Sequence, residues 1–168
     1  MRVSAALRRK IAQLKALMLD CDGVLTDGRL YCSADGVALK AFDVKDGYGL
    51  VQLREAGVRV AIVSADRAPL LERRAEKLGI ADVYQGARDK AEVLRSFAAQ
   101  YMLDPSEVGY VGDDVNDLDA MNGAGVAFAP ADAAEPVRRV VDCVTERRGG
   151  RGAVREVADL LLELRRRR

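Results

Sequence analysis

Apolar residues in this chain form short runs that stop abruptly at polar or glycine-bearing turns, alternating with longer stretches in which they recur every three or four positions. The first run, Ala16 to Leu19, ends in Asp20-Cys21-Asp22-Gly23, as a buried strand does where it emerges into a loop. Arg29 to Cys32 and Val37 to Phe42 flank Ser33-Ala34-Asp35-Gly36, and Asp-Gly between two strand-like runs predicts a hairpin. Asp46 to Ala56, with Leu50, Val51 and Leu53, predicts a helix closed by Gly57, and Val58 to Val63 is a β-branched strand ending at Ser64. A helix over Leu70 to Leu78 stopped by Gly79, a short strand at Val83 and Tyr84, and a longer helix over Lys90 to Tyr101 continue the rhythm. Val108 to Val111 ends in Gly112-Asp113-Asp114; Asn116 to Met121 predicts a helix, Val126 to Ala129 a strand, and Val140 to Val144 an edge strand.

Two amphipathic segments frame this series. Ser4 is a reasonable N-cap for a short helix carrying Leu7, Ile11 and Leu14, and Ala153 to Arg168 aligns Val154, Val157, Leu160, Leu161 and Leu164 on one face. Strands alternating with helices imply a parallel sheet covered on both faces. The expected fold is therefore α/β, a doubly wound (Rossmann-like) sheet in a single domain over 1–168, with its site at the carboxyl ends of the strands.

Composition narrows the possible partners. The chain has 168 residues, 49% hydrophobic and 32% charged, the profile of a folded globular domain. A net charge of +1 gives no reason to expect nucleic acid or an anionic membrane as the main partner, so the expected substrate is a small molecule. Cys21, Cys32 and Cys143 are scattered and form no CxxC pair, which argues against a zinc site or a disulfide scaffold. There is no histidine, so acid and base work falls to carboxylates or lysine. Arg8, Arg9, Lys10 and Lys15 interrupt Met1 to Lys15, leaving no uninterrupted apolar core of the kind a signal peptide or membrane span requires, so a cytoplasmic location is expected.

Asp20, Ser64 and Asp113 each follow an apolar strand run and should converge at one edge of the sheet, where Lys90, at the start of a helix, can reach them. Asp20 and Asp113 bring two negative charges together, a costly arrangement unless a cation sits between them; with oxygen ligands and no histidine, that cation is Mg2+. A phosphoryl group at such a site would be met by the Ser64 hydroxyl, Lys90 and backbone N–H groups of the Asp22-Gly23 turn. An ionised Asp20 can then attack phosphorus. Asp22, two residues on, can protonate the leaving oxygen and later deprotonate water.

The residues Asp20-Cys21-Asp22-Gly23-Val24-Leu25-Thr26-Asp27-Gly28, then Ser64, Lys90 and Gly112-Asp113-Asp114-Val115-Asn116-Asp117, resemble the four ordered motifs of haloacid dehalogenase superfamily phosphatases across nearly the whole chain. The resemblance implies Asp20 as nucleophile and metal ligand, Asp22 as acid/base that also offers its backbone carbonyl to the metal, and Asp113 as a direct metal ligand. It further implies Ser64 and Lys90 as phosphate binders, with Asp114 and Asp117 supporting the metal. Larger relatives insert a cap domain, whereas here the first gap has room only for a hairpin flap. A cap-less cleft shields a small substrate poorly, so either the substrate is large or a neighbouring subunit covers it.

Asp46-Gly47-Tyr48-Gly49, Gln85-Gly86 with Asp89-Lys90, and Gly149-Gly150-Arg151-Gly152-Ala153-Val154-Arg155-Glu156 are similar to the 3-deoxy-D-manno-octulosonate 8-phosphate phosphatase family within that superfamily. This narrower resemblance implies a sugar-acid phosphate substrate, a role in lipopolysaccharide sugar synthesis and a homotetramer built through the flap hairpins, with the Gly-rich segment reaching a neighbour's site. Phosphatases of nine-carbon sialic-type sugar acids carry similar domains and remain an alternative, as does a catalytically silent assembly module of the same fold, against which the intact Asp20, Asp22, Ser64, Lys90 and Asp113 set counts. A phosphorelay receiver does not, because it would place its lysine after the last acidic cluster rather than before it. Ser64-Ala65-Asp66-Arg67 departs from the more familiar Thr-Gly-Arg pattern, leaving Arg67 either a substrate contact or a partner of Asp66 or Glu72.

Overall fold

The computed structural model describes residues 3–34 and 36–166. Ser4 caps α1 (Ala5–Gln13), its side chain accepting the Leu7 N–H, and β1 (Ala16–Asp20) follows, buried throughout. The hairpin β2 (Tyr31–Ser33) and β3 (Gly36–Leu39) forms a separate two-stranded antiparallel sheet; Asp35, in its predicted turn, lies outside the described residues. Then come α2 (Val44–Glu55), β4 (Arg59–Ser64), α3 (Pro69–Leu78), β5 (Asp82–Gln85), α4 (Lys90–Gln100) and β6 (Val108–Val111). A 3-10 turn at Val115–Asp117 leads into α5 (Leu118–Gly123), followed by β7 (Val126–Ala129), α6 (Glu135–Arg138), β8 (Cys143–Val144) and α7 (Ala153–Arg166).

The main sheet has the order β5-β4-β1-β6-β7-β8, and every pairing in it is parallel. Alternation along β1 distributes the core: Leu17 and Leu19 join one layer with Leu50, Leu53, Leu71, Val154 and Leu161, while Ala16 and Met18 join the other with Leu94, Phe97, Met121 and Val137. Helices α2, α3 and α7 therefore cover one face, and α4, α5 and α6 the other. The chain runs outward from β1 through β4 to β5, then returns to β6 on the opposite side. That reversal places a crevice at the carboxyl ends of β1 and β6.

The hairpin is the only insertion between β1 and α2 among the described residues, and no cap domain is present there. The predicted edge strand over Val140 to Val144 is corrected: only Cys143 and Val144 pair with β7, and Val140 is exposed. Glu135-Pro136 starts α6, which turns Val137 into the core and ends at Arg138, and residues 139–142 form a turn that leaves only Cys143 and Val144 to extend the sheet. The terminal arginines are not all solvated, since the Arg165 guanidinium donates to the Leu14 and Ala56 carbonyls at 3.0 and 3.3 Å; Arg167 and Arg168 lie outside the described residues. No described helix is long and apolar enough to cross a membrane.

Candidate active site

Parallel register brings the expected residues together. Asp20 closes β1 opposite Val63, and Ser64 closes β4 one residue beyond, while Asp113 leaves β6 on the other side of β1. Lys90 opens α4 behind its N-cap, Asp89, whose carboxylate accepts the Glu92 N–H at 2.8 Å. Asp20, Asp22, Ser64, Lys90, Asp113 and Asp114 all line one cleft of about 310 Å³. A larger cavity of about 640 Å³ opens at the amino ends of the strands, but its cations are already engaged. Lys15 pairs with Glu107, Arg59 with Asp82, and Arg54 and Arg165 donate to backbone carbonyls. The residues expected to carry the chemistry line the smaller cleft.

At its floor the buried Lys90 ammonium bridges two buried carboxylates, 3.0 Å from Asp20 Oδ1 and 2.7 Å from Asp117 Oδ1. Burial alone would pull the Lys90 pKa down, yet the charges of Asp20 and Asp117 raise it, keeping the ammonium protonated. Asp20 Oδ1 also accepts the Cys21 N–H at 2.7 Å, so its other oxygen carries neither of these bonds. Asp117 is saturated. Its Oδ1 accepts from Lys90 and from the Tyr110 hydroxyl at 2.7 Å, and its Oδ2 accepts from the backbone N–H groups of Asp113 and Asp114. Asp114 itself is exposed and caps the 3-10 turn, accepting the Val115 N–H at 2.7 Å.

Asp113 differs from its neighbours. Its Oδ1 is buried and has no hydrogen-bond partner among the described residues, and an orphaned buried carboxylate oxygen demands an explanation. Oxygens of Asp20, Asp113 and Asp117 lie within 4.8 Å of one another. Burial, and then the charge of Asp117, pushes Asp20 up to about 7; burial, and then the charges of Asp20 and Asp117, pushes Asp113 up to about 7. An all-oxygen pocket with an unused lone pair and crowded negative charge fits a hard divalent cation. Gly23, at φ +85, completes the wall, because any Cβ there would overlap the Asp113 carboxylate.

Ser64 is buried with its Oγ accepting the Asp66 N–H at 3.2 Å, which leaves the hydroxyl proton free to donate. Arg67 is not brought into the cleft: it is exposed, and its guanidinium lies against Gly86. Glu72 is engaged elsewhere, accepting from Gln85 Nε2 at 2.7 Å.

Three features escaped the reading of the sequence. Lys40, just past the hairpin, places its ammonium 2.8 and 2.6 Å from the two oxygens of Asp22; Tyr110 reaches Asp117 from inside β6. Neither has a local signal, since a lysine beside a hairpin and an aromatic residue within a strand are both ordinary. The third is the placement of the Gly-rich segment, which packs against the catalytic loop of its own chain. Gly150 N–H donates to the Val24 carbonyl at 2.9 Å, and a Cβ on Gly149 or Gly150 would overlap the Gly23–Asp27 backbone.

Residues 49–125 match the haloacid dehalogenase-like hydrolase family. The 3-deoxy-D-manno-octulosonate 8-phosphate phosphatase KdsC of Yersinia pestis is 43% identical over 154 residues, covering 92% of this chain and 82% of that protein. Its Escherichia coli K12 counterpart is 42% identical over 160 residues, covering 95% and 85%. The crystal structure of the Yersinia pestis phosphatase superposes with a TM-score of 0.95 at 41% identity, covering 98% of this chain and 89% of that one. The Moraxella catarrhalis phosphatase in complex with magnesium ion, phosphate ion and KDO molecule gives 0.93 at 35% identity, covering 96% and 92%. The cobalt-bound form from Haemophilus influenzae gives 0.91 at 38% identity, covering 93% and 91%.

Proposed function

The chain belongs to the haloacid dehalogenase-like hydrolases, in the family of 3-deoxy-D-manno-octulosonate 8-phosphate phosphatases, and we propose that it hydrolyses that eight-carbon sugar-acid phosphate through a phosphorylated Asp20. It is a phosphomonoester hydrolase, as its relatives are. The observation that carries the proposal is the Asp20–Asp113–Asp117 cluster, in which Asp113 Oδ1 is a buried oxygen with no hydrogen-bond partner among the described residues.

Asp20 and Asp113, with the Asp22 backbone carbonyl, would hold Mg2+, while Asp114 and Asp117 brace the loop around them. The ion supplies charge neutralisation and polarisation of a phosphoryl oxygen. Lys90 and the Ser64 hydroxyl meet the remaining phosphoryl charge, and Lys90 favours the ionised nucleophile across its 3.0 Å contact. A carboxylate oxygen of Asp20 attacks phosphorus, the ester P–O bond breaks, and the Asp22 carboxyl gives its proton to the departing alcohol oxygen. Asp22 then takes a proton from water as the water oxygen attacks phosphorus. The acyl phosphate P–O bond breaks, releasing inorganic phosphate and regenerating Asp20.

The proposal extends to assembly and location. Leu30, Tyr31 and Leu39 on and beside the hairpin are exposed, with Val44 and Tyr48 nearby in sequence, an apolar surface suited to pairing flaps in a homotetramer. The reading is of one cytoplasmic domain, active on a small sugar phosphate, in lipopolysaccharide sugar synthesis. Phosphate release is to be measured with and without Mg2+ from 3-deoxy-D-manno-octulosonate 8-phosphate, nine-carbon 2-keto sugar acid 9-phosphates and hexose phosphates. The expected result is Mg2+-dependent preference for the eight-carbon acid. Preference for a nine-carbon acid overturns the substrate, and no release from any of them overturns the enzymatic reading.

A further inference from the structure

The ion pair between Lys40 and Asp22 joins the flap to the reacting centre. Lys40 immediately follows β3, and its side chain is 1% exposed against 28% for that of Asp22, so the ammonium is enclosed while the carboxylate faces the cleft. Both Asp22 oxygens are held, at 2.8 and 2.6 Å. The other contact to this carboxylate is long: the Thr26 hydroxyl lies 3.4 Å from Oδ1, and its oxygen already accepts from the Gly23 and Gly28 N–H groups. An enclosed ammonium persists only when paired, so Lys40 fixes Asp22 more firmly than the loop does.

We propose that Lys40 is a positioning residue for proton transfer: its ammonium holds the ionised Asp22 through both oxygens and keeps one of them when the other carries the proton that goes to the departing alcohol oxygen. This rests on the reading of Asp22 as the proton donor. A sugar alkoxide is a poor leaving group and needs that proton, whereas p-nitrophenolate departs without it. Loss of positioning therefore separates the two substrates, while loss of phosphate binding or of folding lowers both alike. The quantity to compare is kcat/KM, which includes only steps up to departure of the alcohol, so slow hydrolysis of the phosphorylated Asp20 does not enter.

Lys40→Met is expected to lower kcat/KM for 3-deoxy-D-manno-octulosonate 8-phosphate by roughly 10- to 100-fold, part of the usual worth of general acid catalysis, and that for p-nitrophenyl phosphate by under about 3-fold. Lys40→Arg should recover most of the difference. Equal losses on both substrates, or no loss on either, would overturn the inference. Asp22→Asn is measured alongside. If it separates the substrates and Lys40→Met does not, the positioning role alone fails; if Asp22→Asn separates nothing, the proton-donor reading fails and the inference with it. Circular dichroism confirms folding, and should Lys40→Met not fold, Lys40→Gln against Lys40→Arg reads the same ratio.

Discussion

Lys90, Tyr110 and two backbone N–H groups satisfy Asp117, while Asp113 Oδ1 has no donor among the described residues, so the three clustered acids are not equivalent. Asp117 ties Lys90, Tyr110 and the loop after β6 together, a role that Asp113 does not share. This difference has a consequence for stability. Burial first, and neighbouring carboxylates second, raise Asp20 and Asp113 from the ordinary 3.8 to about 7. A carboxyl whose pKa is raised on folding stabilises the protein fully below about pH 4, and that contribution is lost as pH rises through about 7. Metal-free protein should therefore lose stability over that window, and Mg2+, which needs ionised ligands, should restore it on the alkaline side. Thermal melts at pH 5 and pH 8 should show a large Mg2+-induced rise in Tm only at pH 8; equal rises at both would contradict this account. At this scale Asp20, Asp22, Ser64, Lys90 and Asp113 were legible because each follows an apolar run or opens a helix. Lys40 and Tyr110 were not, because only the folded backbone brings their partners within reach.

The elements α2 and α7 meet through one buried carboxylate. Asp46 accepts the Gly152 N–H at 3.1 Å and the Arg155 N–H at 2.7 Å, so a residue of α2 satisfies N–H groups at the start of α7 from 106 and 109 positions away. Its burial raises its pKa despite those two bonds. Asp46→Ala should cost about 1–3 kcal/mol in urea unfolding, since it strands two part-buried donors; an unchanged midpoint would contradict the capping role. Asp46 and the Gly-rich segment were legible as a family pattern, whereas their mutual contact was not. Strand and helix periods placed most elements to within a residue or two. They failed at Val140 to Val144, where Pro136 starts a single helical turn too short to show a period.

Across the whole molecule, the exposed Leu30, Tyr31 and Leu39 leave the flap apolar beside an uncapped cleft. If flaps pair, Tyr31→Lys with Leu39→Glu should lower the mass measured by light scattering and raise KM more than it lowers kcat, because the cleft loses its cover. A monomeric parent protein, or an unchanged mass in the double variant, would contradict assembly through this surface. The doubly wound order of strands was legible because right-handed crossovers leave few alternatives once strands and helices alternate. Packing between copies leaves no periodic mark beyond exposed apolar residues.

The proposed mechanism requires Asp20 to carry the phosphoryl group. Enzyme acid-quenched during turnover with Mg2+ and 3-deoxy-D-manno-octulosonate 8-phosphate, then treated with borohydride, converts an aspartyl phosphate to homoserine, which peptide mass spectrometry can locate. The account predicts homoserine at position 20 and nowhere else, and none in Asp20→Asn, which should be folded and inactive. Full turnover without modification at position 20, or modification at another carboxylate, would contradict it.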